Sequence, residues 1–188
     1  MIVQPARGVP ADHRRRRRGL AMINVLALLF FPLLMALAAT SDLITMKIAN
    51  PLVLVLATGF VILATVMQMP LEQVALHFLA AGAVLVAGFA LFALRWIGGG
   101  DAKLMSATAL WFGFDLLLPY LVYAALLGGA LTLLILALRR LTLPPAVARL
   151  EWLGRLHDAK GGIPYGIALA ASGLVVFERT DIFQYFAG

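Results

Sequence analysis

Two aspartates, Asp42 and Asp101, sit where a carboxylate needs a reason. Asp101 follows Gly98, Gly99 and Gly100 and precedes Lys103, and the flanking stretches 74–94 and 104–118 are almost unbroken apolar sequence. Ionisable groups at membrane depth are costly, so a functional reading is the default there. Three successive glycines open backbone angles denied to other residues and leave no side chain in a partner's way, so they are expected to stop the preceding helix and keep the acid accessible. The structural alternative has Asp101 capping a helix that runs from Lys103, with the glycines as the C-cap of the helix before. Asp42 weighs toward chemistry, because it too directly follows an apolar run, 20–40.

Two carboxyls brought together do not both ionise cheaply, which leaves one general base and one general acid. The base takes a proton from water while the acid donates to a carbonyl oxygen or a leaving amine, so a peptide is hydrolysed without a nucleophilic side chain or a metal. The rest of the inventory offers no competing chemistry. There is no cysteine, hence no disulfide, thiolate metal site or cysteine nucleophile, and His13, His77 and His157 lie too far apart in sequence for metal-ligand spacing. No metal and no cofactor are expected. Asp115 lies roughly 20 Å along a helix from Asp101, too far to share its chemistry.

The elements that position the two acids follow from composition. With 63% hydrophobic and 13% charged residues in 188, and a mean hydropathy of +0.97, the chain is expected to be an all-α polytopic membrane protein. Its partner is therefore the lipid bilayer and not nucleic acid, and its net charge of +6 is read as a topology signal. Six transmembrane helices are expected over 20–40, 52–67, 71–94, 104–118, 120–138 and 163–177, with Pro119 separating the fourth from the fifth. Pro70 and Glu72 suit the first turn of the third, and His77 reads as a packing or interfacial residue and not as a ligand. Between 141 and 162 Val147, Leu150, Leu153 and Leu156 recur every three residues, which predicts a short helix, either lying on the lipid headgroups or packed on the spans. Residues 1–21, with five arginines from Arg14 to Arg18, are expected to form a disordered basic tail ahead of a single membrane domain, 22–188. Two crossings separate Asp42 from Asp101, so both emerge on one face of the bilayer; the sequence permits them to meet across the 58 residues between them and does not require it.

The run Gly98-x-Gly100-Asp101-x-Lys103 ahead of an apolar helix, with Ser41-Asp42 closing the first span, resembles the aspartic prepilin peptidases of the bacterial inner membrane, in their short Flp/Tad form. Phe31-Pro32, Asn50 and Pro164-Tyr165-Gly166 extend the resemblance over about 22–177. It implies that Asp42 and Asp101 are the two catalytic acids, with Gly98, Gly100 and Lys103 as supporting motif residues. It further implies cleavage, on the cytoplasmic side, of the leader peptide that precedes the N-terminal helix of a type IV pilin. Ile48-Ala49-Asn50 departs from the family's usual Ile-Pro-Asn. The cytoplasmic insertion and paired cysteines of longer members are absent, which implies a peptidase without methyltransferase activity. Lys103 has two readings, an anchor at a cytoplasmic helix end or a group that tunes Asp101.

Two other function classes fit intramembrane carboxylates. A proton-coupled transporter should show internal repeats and helices broken near the bilayer midplane, whereas these acids fall at helix ends. A non-enzymatic scaffold of a pilus or secretion machine would need neither acid. Charge leaves one conflict. With the acids inside, eight basic residues from Lys47 to Lys160 face the cytoplasm against Arg179 outside, but a tail with Arg7 and the arginine run makes that eight against seven. Either the tail is translocated or the first span rearranged, or translation starts at Met22, which still leaves 19 residues up to Thr40. The later start is the expectation, since it restores the asymmetry without touching a functional residue.

Overall fold

The computed structural model describes residues 11–141, 150–158 and 161–188. Among the described residues seven helices follow in order: α1 (Ala11–Thr45), α2 (Asn50–Val66), α3 (Leu71–Ala93), α4 (Gly99–Leu138), α5 (Glu151–His157), α6 (Tyr165–Phe177) and α7 (Asp181–Ala187). Among the described residues there is no strand. Of these, three are long and apolar enough to cross a membrane, over Met22–Thr45, Leu71–Ala93 and Gly99–Leu138 among the described residues, and α2 and α6 are shorter apolar helices.

The backbone is helical from Ala11, so the arginine run continues the first helix where disorder is expected; residues 1–10 lie outside the described residues. Arginine is a good helix former, and extending a helix already nucleated by an apolar span costs little. At its other end α1 runs on through Thr45, five residues beyond the expected limit, so Asp42 lies on its last turns and not in a loop.

The 40 residues of α4 exceed any single crossing, and the helix reverses at Gly113, where φ is 58° and ψ −164°. That conformation is essentially restricted to glycine. The reversal therefore comes six residues before Pro119, which lies inside the second arm instead of separating two spans. His77 of α3 packs against Gly113, its Nδ1 2.8 Å from the Leu110 carbonyl and its ring stacked on Phe60 at 5.1 Å, so the packing reading of this histidine stands. The two arms, 99–112 and 114–138, together with α1, α2, α3 and α6, make six apolar helical segments among the described residues. Their site-side ends meet around one cavity.

What draws them together is an aromatic centre. Phe31 of α1 stacks on Phe177 of α6 at 4.6 Å and tilts against Trp111 of α4 at 5.0 Å, and the Trp111 Nε1–H donates to the Leu56 carbonyl of α2 at 3.1 Å. Small residues let backbones approach elsewhere, as is usual where helices pack in lipid. A Cβ on Gly88 of α3 would lie 3.0 Å from that of Ala102, which fixes the first arm of α4 tightly on α3. Ser106 adds a buried hydrogen bond to the Ala81 carbonyl at 2.9 Å.

In the segment expected to hold a short helix, α5 presents Trp152, Leu153 and Leu156 half-buried and Glu151 and Arg155 exposed, while Val147 and Arg149 lie outside the described residues. It is bonded to the ends of the spans: Arg155 donates to the Ile44 carbonyl of α1, and Arg139 of α4 donates to the Leu156 carbonyl. These contacts favour a linker helix packed on the spans. The C-terminal residues form α7, which buries Ile182 and Phe186 and packs on α1.

Candidate active site

Asp42 is carried on the last turns of α1, and the chain turns away just beyond it at Met46, whose φ is 55°. Side chains fasten this exit, with Ser41 Oγ donating to the Lys47 carbonyl at 2.9 Å and Thr45 Oγ1 to the Ser41 carbonyl at 2.7 Å. The Asp42 side chain is buried, 5% exposed, and its Oδ2 accepts the Gly166 N–H at 2.7 Å. Gly166 opens the second residue of α6, and a Cβ there would lie 2.8 Å from that same oxygen and 3.0 Å from the Asp42 Cβ. Only glycine brings a main-chain N–H this close to the acid.

Asp101 is the third residue of α4, which starts at Gly99 and not at Lys103. Its Oδ2 accepts the N–H of Gly98, the N-cap, at 3.2 Å, the reciprocal half of a capping box. The capping reading is thus correct in kind, but it occupies Asp101 from below and leaves the carboxylate lining the cavity. Of the two roles expected of the glycines, helix stopping and clearance, only the second is seen. None of Gly98, Gly99 and Gly100 has a positive φ, and they do not terminate α3. That helix ends at Ala93 and is closed just beyond by Arg95, whose φ of 61° is accompanied by Trp96 N–H to Leu91 carbonyl and Arg95 N–H to Phe92 carbonyl bonds, both 2.9 Å, a Schellman closure. The glycines provide clearance instead: a Cβ on Gly98 would lie 2.8 Å from Asp101 Oδ2, and one on Gly100 3.3 Å from the Ile48 Cβ.

Both acids line one cavity of about 820 Å³, and they are close enough for the charge on Asp42 to act on Asp101. The structure therefore brings together the pair that the sequence only allowed to meet. Met46, Arg95, Arg139 and Tyr165 share the wall. Lys103 lines it too, but its Nζ donates to Asn50 Oδ1 at 2.9 Å and so ties the start of α4 to the start of α2. Asp115 is exposed beside the reversal at the opposite pole, and no group of three or more metal-ligating residues occurs among the described residues.

Three contributors to the site escape a reading by residue type: the Gly166 N–H, the Tyr165 ring and Arg139. Gly166 and Tyr165 had a signal in the Pro164-Tyr165-Gly166 run. Arg139 had none, since a basic residue closing a span reads as a topology marker. Chemically, two carboxyls facing one water-accessible cavity, each steadied by a main-chain donor, can exchange a proton with a water and with a bound amide.

A model of the type IV leader peptidase family matches residues 29–133, more than half of the chain. The matched stretch contains Asp42, Asp101 and the glycine run, and stops short of Arg139 and Gly166. No curated protein and no solved structure matches the chain.

Proposed function

Because the chain belongs to the type IV leader peptidase family, we propose that it is an aspartic endopeptidase that removes the N-terminal leader of Flp-type prepilins at the cytoplasmic face of the bacterial inner membrane. The observation that carries the aspartic assignment is the shared cavity of Asp42 and Asp101. In this reading one carboxylate removes a proton from water, and the water oxygen bonds to the scissile carbonyl carbon. The other, protonated, carboxyl donates to the carbonyl oxygen. Collapse of the tetrahedral species breaks the C–N bond as a proton passes to the amine, and the pair returns with one proton between them. The pilin keeps its new N-terminal amine unmodified, because the chain lacks the insertion and cysteines associated with methyltransferase activity in longer members of the family. Gly98 gives the Asp101 carboxylate room, Gly100 lets the start of α4 pack on Ile48, and Lys103 holds the motif's helix against α2 through Asn50.

The test uses purified protein in detergent and a synthetic prepilin leader peptide. Wild-type protein should release the cut leader, and Asp42→Asn or Asp101→Asn should reduce cleavage below detection while the protein still accumulates in the membrane. Asparagine keeps the shape and loses the proton transfer. Wild-type rates from either variant would remove the aspartyl mechanism.

A further inference from the structure

The two acids are held by main-chain N–H groups on different parts of the chain, and one of these, Gly166, follows a loop segment, 161–163, that lines the cavity. Arg139, the residue that closes α4, grips that loop. Its Nε donates to the Leu156 carbonyl at 2.7 Å, and its Nη2 to the carbonyls of Gly161 at 2.9 Å and Gly162 at 3.1 Å. One planar guanidinium thus joins the last turn of α5 to the segment that leads, four residues later, into Gly166. Earlier on the same arm of α4 the grip is repeated by shape: a Cβ on Gly128 would run into the Tyr165 ring, so the ring lies directly on the helix backbone. Pro164, between these two holds, is fully buried, and the Tyr165 N–H closes a tight turn on the Ile163 carbonyl at 2.8 Å. Arg155 completes the connection by donating to the Ile44 carbonyl, two residues beyond Asp42 on α1.

We propose that Arg139 is a positioning residue of the peptidase, which sets the entry of α6 so that the Gly166 N–H reaches the Asp42 carboxylate. The proposal rests on the peptidase reading of the cavity and adds to it a residue outside the stretch that defines the family match. Arg139 touches the loop and not the scissile bond. Its loss changes the turnover of bound substrate more than the binding of substrate, because the Asp42 carboxylate then loses its orientation while the rest of the cavity wall stays in place. Lysine, with a compact ammonium in place of a fork, reaches fewer of the three carbonyls and restores part of the effect.

The full-length protein in detergent is assayed on the leader peptide as wild type, Arg139→Gln, Arg139→Lys and Arg140→Gln, with amide hydrogen exchange followed over 162–169. Arg140 is exposed next door and makes the same change in charge. The expected result for Arg139→Gln is a kcat lower by roughly ten- to a hundredfold with KM within about twofold, faster exchange over 162–169, and an intermediate position for Arg139→Lys. Arg140→Gln should match wild type in both readouts. A kcat for Arg139→Gln equal to wild type overturns the proposal, and so does a lowered kcat with unchanged exchange. If Arg139→Gln does not fold, Arg139→Lys carries the comparison: wild-type kcat and exchange there overturn it equally. Failure of the underlying reading looks different, since wild-type protein would then leave the peptide uncut, and the exchange data would still report whether Arg139 holds the loop.

Discussion

At the level of single residues the candidate site is built from two side chains and two peptide groups. Asp42 and Asp101 are legible in sequence because a carboxylate beside apolar runs is costly enough to require explanation. The groups that orient them are not, since every residue but proline carries an N–H and only folding selects the one at Gly166. The glycines are visible as residues, but their physical role is easily misassigned. The sequence suggests both conformational freedom and open space, and only the space is used, since the backbone at Gly98 and Gly100 is ordinary. This makes Gly166→Ala a sharp probe. Its added Cβ would stand 2.8 Å from Asp42 Oδ2 and 3.0 Å from the Asp42 Cβ, contacts that no rotamer change fully relieves. Leader cleavage by Gly166→Ala should fall by about ten- to a hundredfold, with membrane accumulation retained. Gly82→Ala, where a Cβ meets nothing within 4 Å, is the matched control and should cleave at the wild-type rate.

At the level of elements the sequence locates the helices well and their ends poorly. Apolar stretches carry the signal for a span, but a terminus is decided by a few hydrogen bonds that leave little mark on composition. Met46, Gln68 and Arg95 all end helices with φ between 54° and 61°, a conformation glycine adopts freely and these residues adopt at a cost of about 1 kcal/mol or more each. Two of the three, Met46 and Arg95, line the cavity. The reversal in α4 shows the opposite error. Pro119 looks like the breaker and is accommodated in the second arm, while Gly113, inconspicuous among Phe112 and Phe114, makes the turn. Gly113→Ala should therefore be the most disruptive glycine substitution away from the site. It meets a φ of 58° with ψ −164°, costing on the order of 1–3 kcal/mol, and its Cβ would lie 3.1 Å from the His77 ring. The measurable outcome is a lower thermal unfolding midpoint in detergent, whereas Pro119→Ala should leave that midpoint within a few degrees of wild type or raise it.

For the molecule as a whole, the arrangement of six apolar segments is what carries both acids to one pole. The expectation of six crossings rests on apolar stretches alone, of which three form helices long enough to cross among the described residues. The proposed cytoplasmic placement of that pole is open to direct measurement: a reporter active only in the cytoplasm, fused after Arg140, should be active, and a silent fusion would put the acids on the other side. The same six segments are unequal. The first arm of α4, 99–112, together with α2 and α6, rises only about 20–26 Å, whereas α3 rises about 35 Å. A hydrocarbon layer is about 30 Å thick, so the part of the protein that holds Asp101 and Gly166 is too short for an undeformed bilayer. On the reading that all six segments cross, lipid next to these helices would thin, drawing headgroups and water toward the acids. Acyl-chain length then becomes a control on catalysis. In vesicles of otherwise equal composition, leader cleavage should slow as the chains lengthen from 14 to 22 carbons, because a thicker layer buries the cavity mouth that a thin one leaves wet.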